Sequence, residues 1–405
     1  MDGIRRYAGI DWAKARHAVC VVDERGSAVA RFEVEHSDTG LRELVRVLDG
    51  VEGVAIERPD GPVVEALLGA GITVSVIASR QVKALRARHG LAGNKDDRAD
   101  AYVLAEALRT DGHRLRPLRP DAPETVALRA SVRARKDLVA HRTALAQQLG
   151  AHLALAFPGG VELFDELASP IARAFLRRFP TAERAAWLSP KRMTAWLAAQ
   201  GYSGRRSGAE LHARLAAAPP GVRGPSADAL AAVTLALVAA VAAIDEQAKA
   251  LGARIAEQLE RHPDRAILTS LPRAGRVRAA ALLAEIGDRR ERFPTPESLA
   301  CLAGVTPSTR QSGQHRAVSF RWTCDKKLRE ARGDFAQDSR RANPWAADLY
   351  RRARARGKSH PQAVRILARA WVYVIWRCWQ DRVPYDPARH GALQRVILAS
   401  TGVAA

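Results

Sequence analysis

Tyr7-Ala8-Gly9-Ile10-Asp11 is a short apolar run closed by a carboxylate, and the text around it decides the fold of the front of the chain. The run reads as a strand. His17 to Asp23 is rich in β-formers, Glu24-Arg25-Gly26-Ser27 is a turn, and Ala28 to Val34 reads as a third strand. So short a turn makes the second and third strands a hairpin and gives the sheet an antiparallel start. Leu41, Leu44, Val45 and Leu48 then recur at helical spacing within Thr39 to Leu48. Val51 to Glu57 is a fourth strand, Pro62 to Leu68 a helix, and Ile72 to Ala78 a fifth strand. Helices follow from Ser79 and from about Lys95 to Arg109.

Three strands, helix, strand, helix, strand, helix is the element order of a ribonuclease-H-like sheet, parts of which other mixed α/β domains share. Behind it, Ala122 to about Ala156 is helical, with a stripe of Leu128, Val132, Leu138, Leu145, Leu149 and Leu153. A second long helix runs from about Ser226 to Arg261. The two fit an antiparallel coiled-coil or dimerisation arm, or equally two core helices of a bundle. Between them, residues 157–225 form a helical insertion broken at Pro158-Gly159 and Pro220-Gly221. The expected domains are 1–115, 116–261 and 262–390, the last of these helical, with 391–405 as a tail.

The chain has 405 residues, enough for two or three domains. Lys and Arg number 64 against 43 Asp and Glu, a net charge of +21. That excess favours a polyanionic partner through phosphate contacts and counterion release. An arginine-rich set of solvated helix faces is the bland alternative. Cys20, Cys301, Cys324 and Cys378 show no paired spacing, which argues against zinc and suits a reducing cytoplasm. The longest Ala/Val/Leu run, Leu230 to Ile244, is too short to span a bilayer, so no membrane is expected. The N-terminus lacks the apolar core of a signal peptide.

Four carboxylates stand where such a sheet would use them. Asp11 ends the first strand and Glu57 the fourth, while Asp97 and Asp100 lie three apart, on one face of a helix. Hard oxygen ligands of this kind suit Mg²⁺ or Mn²⁺, and two such ions can act on a phosphodiester. A Glu closing an apolar strand is costly to bury without a cation. Singly, each acid reads as a solvated surface residue. Lys95 and Arg98, beside the helical pair, would contact nucleic acid.

Gly9-Ile10-Asp11, Ile56-Glu57-Arg58 and Lys95-Asp96-Asp97-Arg98-Ala99-Asp100-Ala101 resemble the Asp-Glu-Asp-Asp set of insertion-sequence transposases whose front domain is like the RuvC resolvase, a family that includes Piv-type DNA invertases. The family's last block usually reads Lys-Thr-Asp-Arg-Ile-Asp-Ala. Asp96 and Ala99 depart from it, and both acids remain. Further on, Leu302-Ala303-Gly304-Val305-Thr306-Pro307 resembles the family's Ala-Gly-x-x-Pro block, and Ser312-Gly313 its Ser-Gly. The resemblance implies that Ser312 is the nucleophile that links covalently to DNA. A free hydroxyl needs activation for that, and Arg310, Arg316, Arg321, Lys326 and Lys327 would stabilise charge on the attacked phosphate. Without the family, Ser312-Gly313 reads as a polar loop, and Ser308, Ser319 and Thr309 compete for the role. Leu268 to Gly275 looks like a helix-hairpin-helix element, with Arg273 where the family usually has Gly and available to a phosphate. Trp371, Tyr373, Trp376 and Trp379 on one helix read as base-stacking groups or, more simply, as core.

The resemblance implies a recombinase that excises and integrates an insertion sequence. It also implies an element-encoded bridge RNA paired with donor and target double-stranded DNA, and a homodimer or homotetramer whose acids and serine complete one site. The rival readings are a Holliday-junction-type structure-selective nuclease, needing only the four acids and water, and a non-catalytic basic nucleic-acid-binding scaffold.

Overall fold

The computed structural model describes residues 5–89 and 96–401. The chain packs as two units, one up to Pro120 and one from Asp121.

In the first unit the expected element order is found. Strands β1 (Arg6–Asp11), β2 (Arg16–Asp23) and β3 (Ala28–Glu35) lead through helix α1 (Asp38–Val47) to β4 (Gly53–Ile56). Helix α2 (Pro62–Gly69), β5 (Val74–Val76), α3 (Ser79–Arg88) and α4 (Asp97–Asp111) follow. The sheet order is β3-β2-β1-β4-β5. Strand β2 is antiparallel to β1 and β3, whereas β4 runs parallel to β1 and β5 parallel to β4. The hairpin signal set the antiparallel half; helical crossovers set the parallel half. Ser37 caps α1 by accepting from the Gly40 amide at 3.1 Å. Leu44 of α1, Leu48 at its C-cap and Leu67 of α2 cover one sheet face around Ala8 and Ile10. On the other face, Val103, Leu104 and Leu108 of α4 pack against Ala55 and Ile77, and Ala101 and Ala105 against Cys20 and Val22.

The second unit is built on α5 (Pro123–Ala156). After it come α6 (Pro170–Arg178), α7 (Ala182–Ala185), α8 (Pro190–Ala199), α9 (Gly208–Ala217) and α10 (Pro225–Arg261). Helices α5 and α10 lie antiparallel: His152 reaches Thr234, and Arg142 reaches Asp245. Their shared far end, at Leu149, Leu153 and Val238, is wrapped by the insertion, whose Phe157, Phe175 and Met193 make a small core. Helix α10 is 37 residues long with an 18-residue window of mean hydropathy 2.2, enough by length and composition to cross a membrane. The expectation that no stretch qualified is corrected: Ala carries much of the apolarity, and the helical run continues past Ile244 through polar turns. Its buried residues, among them Thr234 and Asp245, pack inside the unit.

The rest comprises α11 (Arg265–Thr269), α12 (Gly275–Ile286), α13 (Pro296–Leu302), β6 (Ser308–Ser312) and β7 (His315–Ser319). Helices α14 (Lys326–Ser339), α15 (Pro344–Ala355), α16 (His360–Gln380) and α17 (Gly391–Thr401) close the chain. One core joins Leu128 and Val132 of α5, Ile255 and Leu259 of α10, and Trp371 and Trp379 of α16, so packing runs straight through residue 262. Two expectations are corrected here. The back region is not wholly helical, because β6 and β7 form a hairpin. Residues 391–401, read as a tail, are a helix whose Leu393 enters the core.

Candidate active site

Strand geometry brings the first two acids together. Ile10 of β1 pairs with Ile56 of β4 in parallel register, so Asp11 and Glu57 leave the sheet side by side at the carboxyl ends of neighbouring strands. Helix α4 brings the other two. It lies directly on β1 because Gly9 has no side chain; a Cβ there would run into the Ala101 carbonyl and the Ala105 amide. Asp96 is the N-cap, its carboxylate accepting from the Arg98 amide at 3.1 Å. That use of Asp96 separates it from Asp97 and Asp100, one turn into the helix.

Asp11 senses the other three acids. Burial first, then the charges of Asp97, Asp100 and Glu57 and a hydrogen bond with Asp97, push the Asp11 carboxyl up to about 7. Asp100 is 2% exposed and forked by the Arg86 guanidinium from α3. Glu57 accepts from the Ser79 hydroxyl at 2.8 Å. Among the described residues no three acid, histidine or cysteine side chains converge, as they stand, into a cage for one ion. The donor chemistry nevertheless fits a divalent cation. Burial and then the neighbouring carboxylates raise Asp11, and at Asp100 a guanidinium already supplies the opposite charge. Sequence reasoning missed Arg86 and Ser79, since a helix after a strand gives no sign of which residue turns inward.

Next to Asp11, Trp12 carries the Arg58 guanidinium 4.5 Å over its ring. His17 is fully buried behind it and bonds His36 at 2.9 Å. Burial, then the His36 charge, lowers His17 below the usual imidazole range.

Ser312 belongs to the second unit, as the last residue of β6. A two-residue turn, Gly313-Gln314, joins it to β7, with Gly313 at φ +55° as such turns require. Cross-strand register sets Ser312 opposite His315, Gln311 opposite Arg316 and Arg310 opposite Ala317. Side chains alternate along a strand, so Arg310, Ser312 and His315 share one face and Arg316 the other. His315 was not foreseen; only the register reveals it.

The remaining predicted contacts divide. Arg98 bonds Glu33 at 2.9 Å, Lys327 bonds Asp137 at 3.0 Å and Arg273 bonds Asp338 at 3.0 Å. Arg321 donates to the Thr306 carbonyl at 3.0 Å and so braces the hairpin root. Arg310, Arg316 and Lys326 have no ion-pair partner among the described residues. Lys95 lies outside them. Arg273 stands at φ +58°, a backbone state natural to Gly, in the turn between α11 and α12. The aromatic residues of α16 are largely core: Trp371 and Trp379 are buried and donate to Ser339 Oγ and Asp264 Oδ2.

Known proteins match this arrangement along its length. The transposase family DEDD_Tnp_IS110 matches residues 8–158, and the transposase IS116/IS110/IS902 family matches residues 265–351. The chain is 32% identical over 406 aligned residues to the IS117 mini-circle protein of Streptomyces coelicolor, covering 96% of this chain and 97% of that one. It is 29% identical to an IS900 protein of Mycobacterium paratuberculosis, covering 94% and 97%. Among solved structures, RuvC of T. thermophilus with a Holliday junction substrate aligns at 20% identity and TM-score 0.23 over 28% of this chain and 99% of that one, too slight a likeness to add to the sheet order itself. Matched at both ends by family models and from end to end by an insertion-element relative, the chain belongs to the IS116/IS110/IS902 family of transposases.

Proposed function

We propose that this transposase excises and integrates an insertion sequence by a two-part chemistry, an acid cluster in the first unit and a serine in the second, with an element-encoded bridge RNA choosing donor and target DNA. The observation that carries the reading is geometric: Asp11 and Glu57 end neighbouring parallel strands, and α4, seated on β1 at Gly9, carries Asp97 and Asp100 to them. The sheet order β3-β2-β1-β4-β5, with β2 antiparallel, supports a ribonuclease-H-like, RuvC-like front domain. The net charge of +21 suits both nucleic acids. The turn at Arg273 suits a helix-hairpin-helix contact, and the paired α5 and α10 suit a coiled-coil arm in a dimer or tetramer. A bacterial, nucleoid-associated location follows from that work.

Asp11, Glu57, Asp97 and Asp100 would hold Mg²⁺ or Mn²⁺, which when bound supplies charge for the phosphodiester in the transition state. Ser312 Oγ forms a bond to the scissile phosphorus, and the bridging P–O bond breaks. His315, across the turn on the same face, takes the hydroxyl proton and returns it to the leaving oxygen. Arg310, on that face too, offsets charge on the phosphate. Strand exchange and reversal of the step rejoin the DNA. Because the acids and Ser312 belong to different units, subunits of an oligomer would complete each other's sites.

The test is a covalent-adduct assay with labelled donor and target DNA, the element-flank RNA and Mg²⁺, resolved on a denaturing gel. A protein–DNA band lost in both Ser312→Ala and Asp11→Ala is expected. Cleavage without any adduct would instead establish a water-using nuclease.

A further inference from the structure

Buried Arg173 has a carboxylate, Asp245, and partly buried Arg290 has Asp264. Arg332 of α14 does not. It is 3% exposed, and its Nε donates to the Ala303 carbonyl at 2.7 Å, with no ion pair among the described residues. Arg329, one turn earlier, donates to Cys324 Sγ at 3.8 Å and also lacks a carboxylate among them, as does Arg365 of α16. Burial, then the charges of Arg329 and Arg365, lower the Arg332 guanidinium to about 10, against a partial offset from Cys324. Three cations packed without an anion, one of them buried, are an arrangement a bound anion would relieve.

The cations adjoin an aromatic step. The guanidinium of Arg365 lies 4.8 Å from the centre of the Phe320 ring and that of Arg329 5.7 Å from it. Trp322 meets Phe320 edge-on, with ring centres 4.8 Å apart, and is 77% exposed. The backbone is shaped for this packing. Gly304 sits at φ +65° with Cys324 Sγ and Arg329 Cδ against it, where any side chain would collide. In the same loop the buried Thr306 hydroxyl has no hydrogen-bond partner. Phe320 directly follows β7, so the cluster forms the root of the Ser312 hairpin.

We propose that Arg329, Arg332 and Arg365 bind one backbone phosphate and Trp322 stacks on the adjoining unpaired base, so that the hairpin root grips a single-stranded nucleotide. The proposal rests on the DNA-recombinase reading and adds what the second unit holds beside its serine. A phosphate matches the guanidinium group, and an exposed indole face fits a base that is not stacked in a duplex. Arg321, committed to the Thr306 and Pro307 carbonyls, braces the loop.

The experiment uses the full chain without divalent ions and a short single-stranded oligonucleotide carrying one 2-aminopurine, in a DNA arm and an RNA arm. Wild-type protein should bind at least one of them and quench the 2-aminopurine, the tighter arm identifying the source. Trp322→Ala should abolish the quench and weaken binding by about fivefold or more. Arg365→Gln should weaken it similarly and flatten the salt dependence by roughly 0.7 in log–log slope. Binding is read without divalent ions and without any covalent step, which separates this proposal from the adduct chemistry. Trp322 is exposed, so its variant should keep the wild-type melting temperature. No binding of either strand, or full affinity and quenching in Trp322→Ala, would overturn the proposal. So would preference for an acidic peptide over both strands, even if the adduct assay succeeds.

Discussion

Asp11 and Asp245 are both carboxylates drawn out of water, and the protein treats them in opposite ways. At Asp245, burial raises the carboxyl, but bonds from Lys249 of its own helix, Arg142 of α5 and Arg173 of α6 outweigh it and hold the group down to about 2. At Asp11, burial and three neighbouring carboxylates act in the same direction and push the group to about 7. A buried charge matched by the chain's own cations is part of the framework. A partly buried charge among its own kind is unfavourable until a cation arrives, and marks chemistry. The same distinction separates Arg173, matched by Asp245, from Arg332, which lacks a carboxylate among the described residues.

The sharpest way to break this comparison is to neutralise each acid in turn. Asp11→Asn should cut DNA cleavage by at least about 100-fold and, in metal-free protein, raise the melting temperature by removing repulsion. Cleavage near the wild-type rate would show that the crowding is not catalytic. Asp245→Ala should do the reverse, leaving cleavage per folded molecule unchanged while costing about 3 kcal/mol in urea unfolding, because three cations lose their anion. Gly9→Ala should cost roughly 1–3 kcal/mol by forcing α4 off β1. It should also lower the Asp11 pKa as the acids separate, which NMR titration of the carboxyl would register.

The smallest effects are in pH. Asp11 binds its proton more tightly folded than unfolded. Its contribution to stability is therefore complete below the ordinary carboxyl value of 3.8 and lost as pH rises through about 7. Metal-free protein should melt higher at pH 5 than at pH 8, and Asp11→Asn or added Mg²⁺ should flatten that slope. Asp245 runs the other way: its stabilisation is present above 3.8 and lost as pH falls through about 2. Asp245→Asn should flatten only the acid limb, and a change near neutral pH would mean the two acids are coupled.

The sheet was legible because strand and helix periods are local, and a short turn such as Glu24 to Ser27 forces antiparallel pairing. The hairpin bearing Ser312 was not. Its strands are almost wholly exposed and lack the apolar alternation by which strands are read. Nor could the aromatic spacing of α16 separate stacking from burial; the hydrogen bonds of Trp371 and Trp379 do.

By itself, then, the sequence determined which acids end strands and which share a helix face, since backbone periodicity places them there whatever lies around them. Only the tertiary structure decided that Asp96 caps a helix while Asp97 faces Asp11, that Arg86 forks Asp100, and that Arg332 stays without a carboxylate among the described residues. The reason is that charge interactions and desolvation depend on distance through space and on burial, and neither is written in the spacing of residues along a chain.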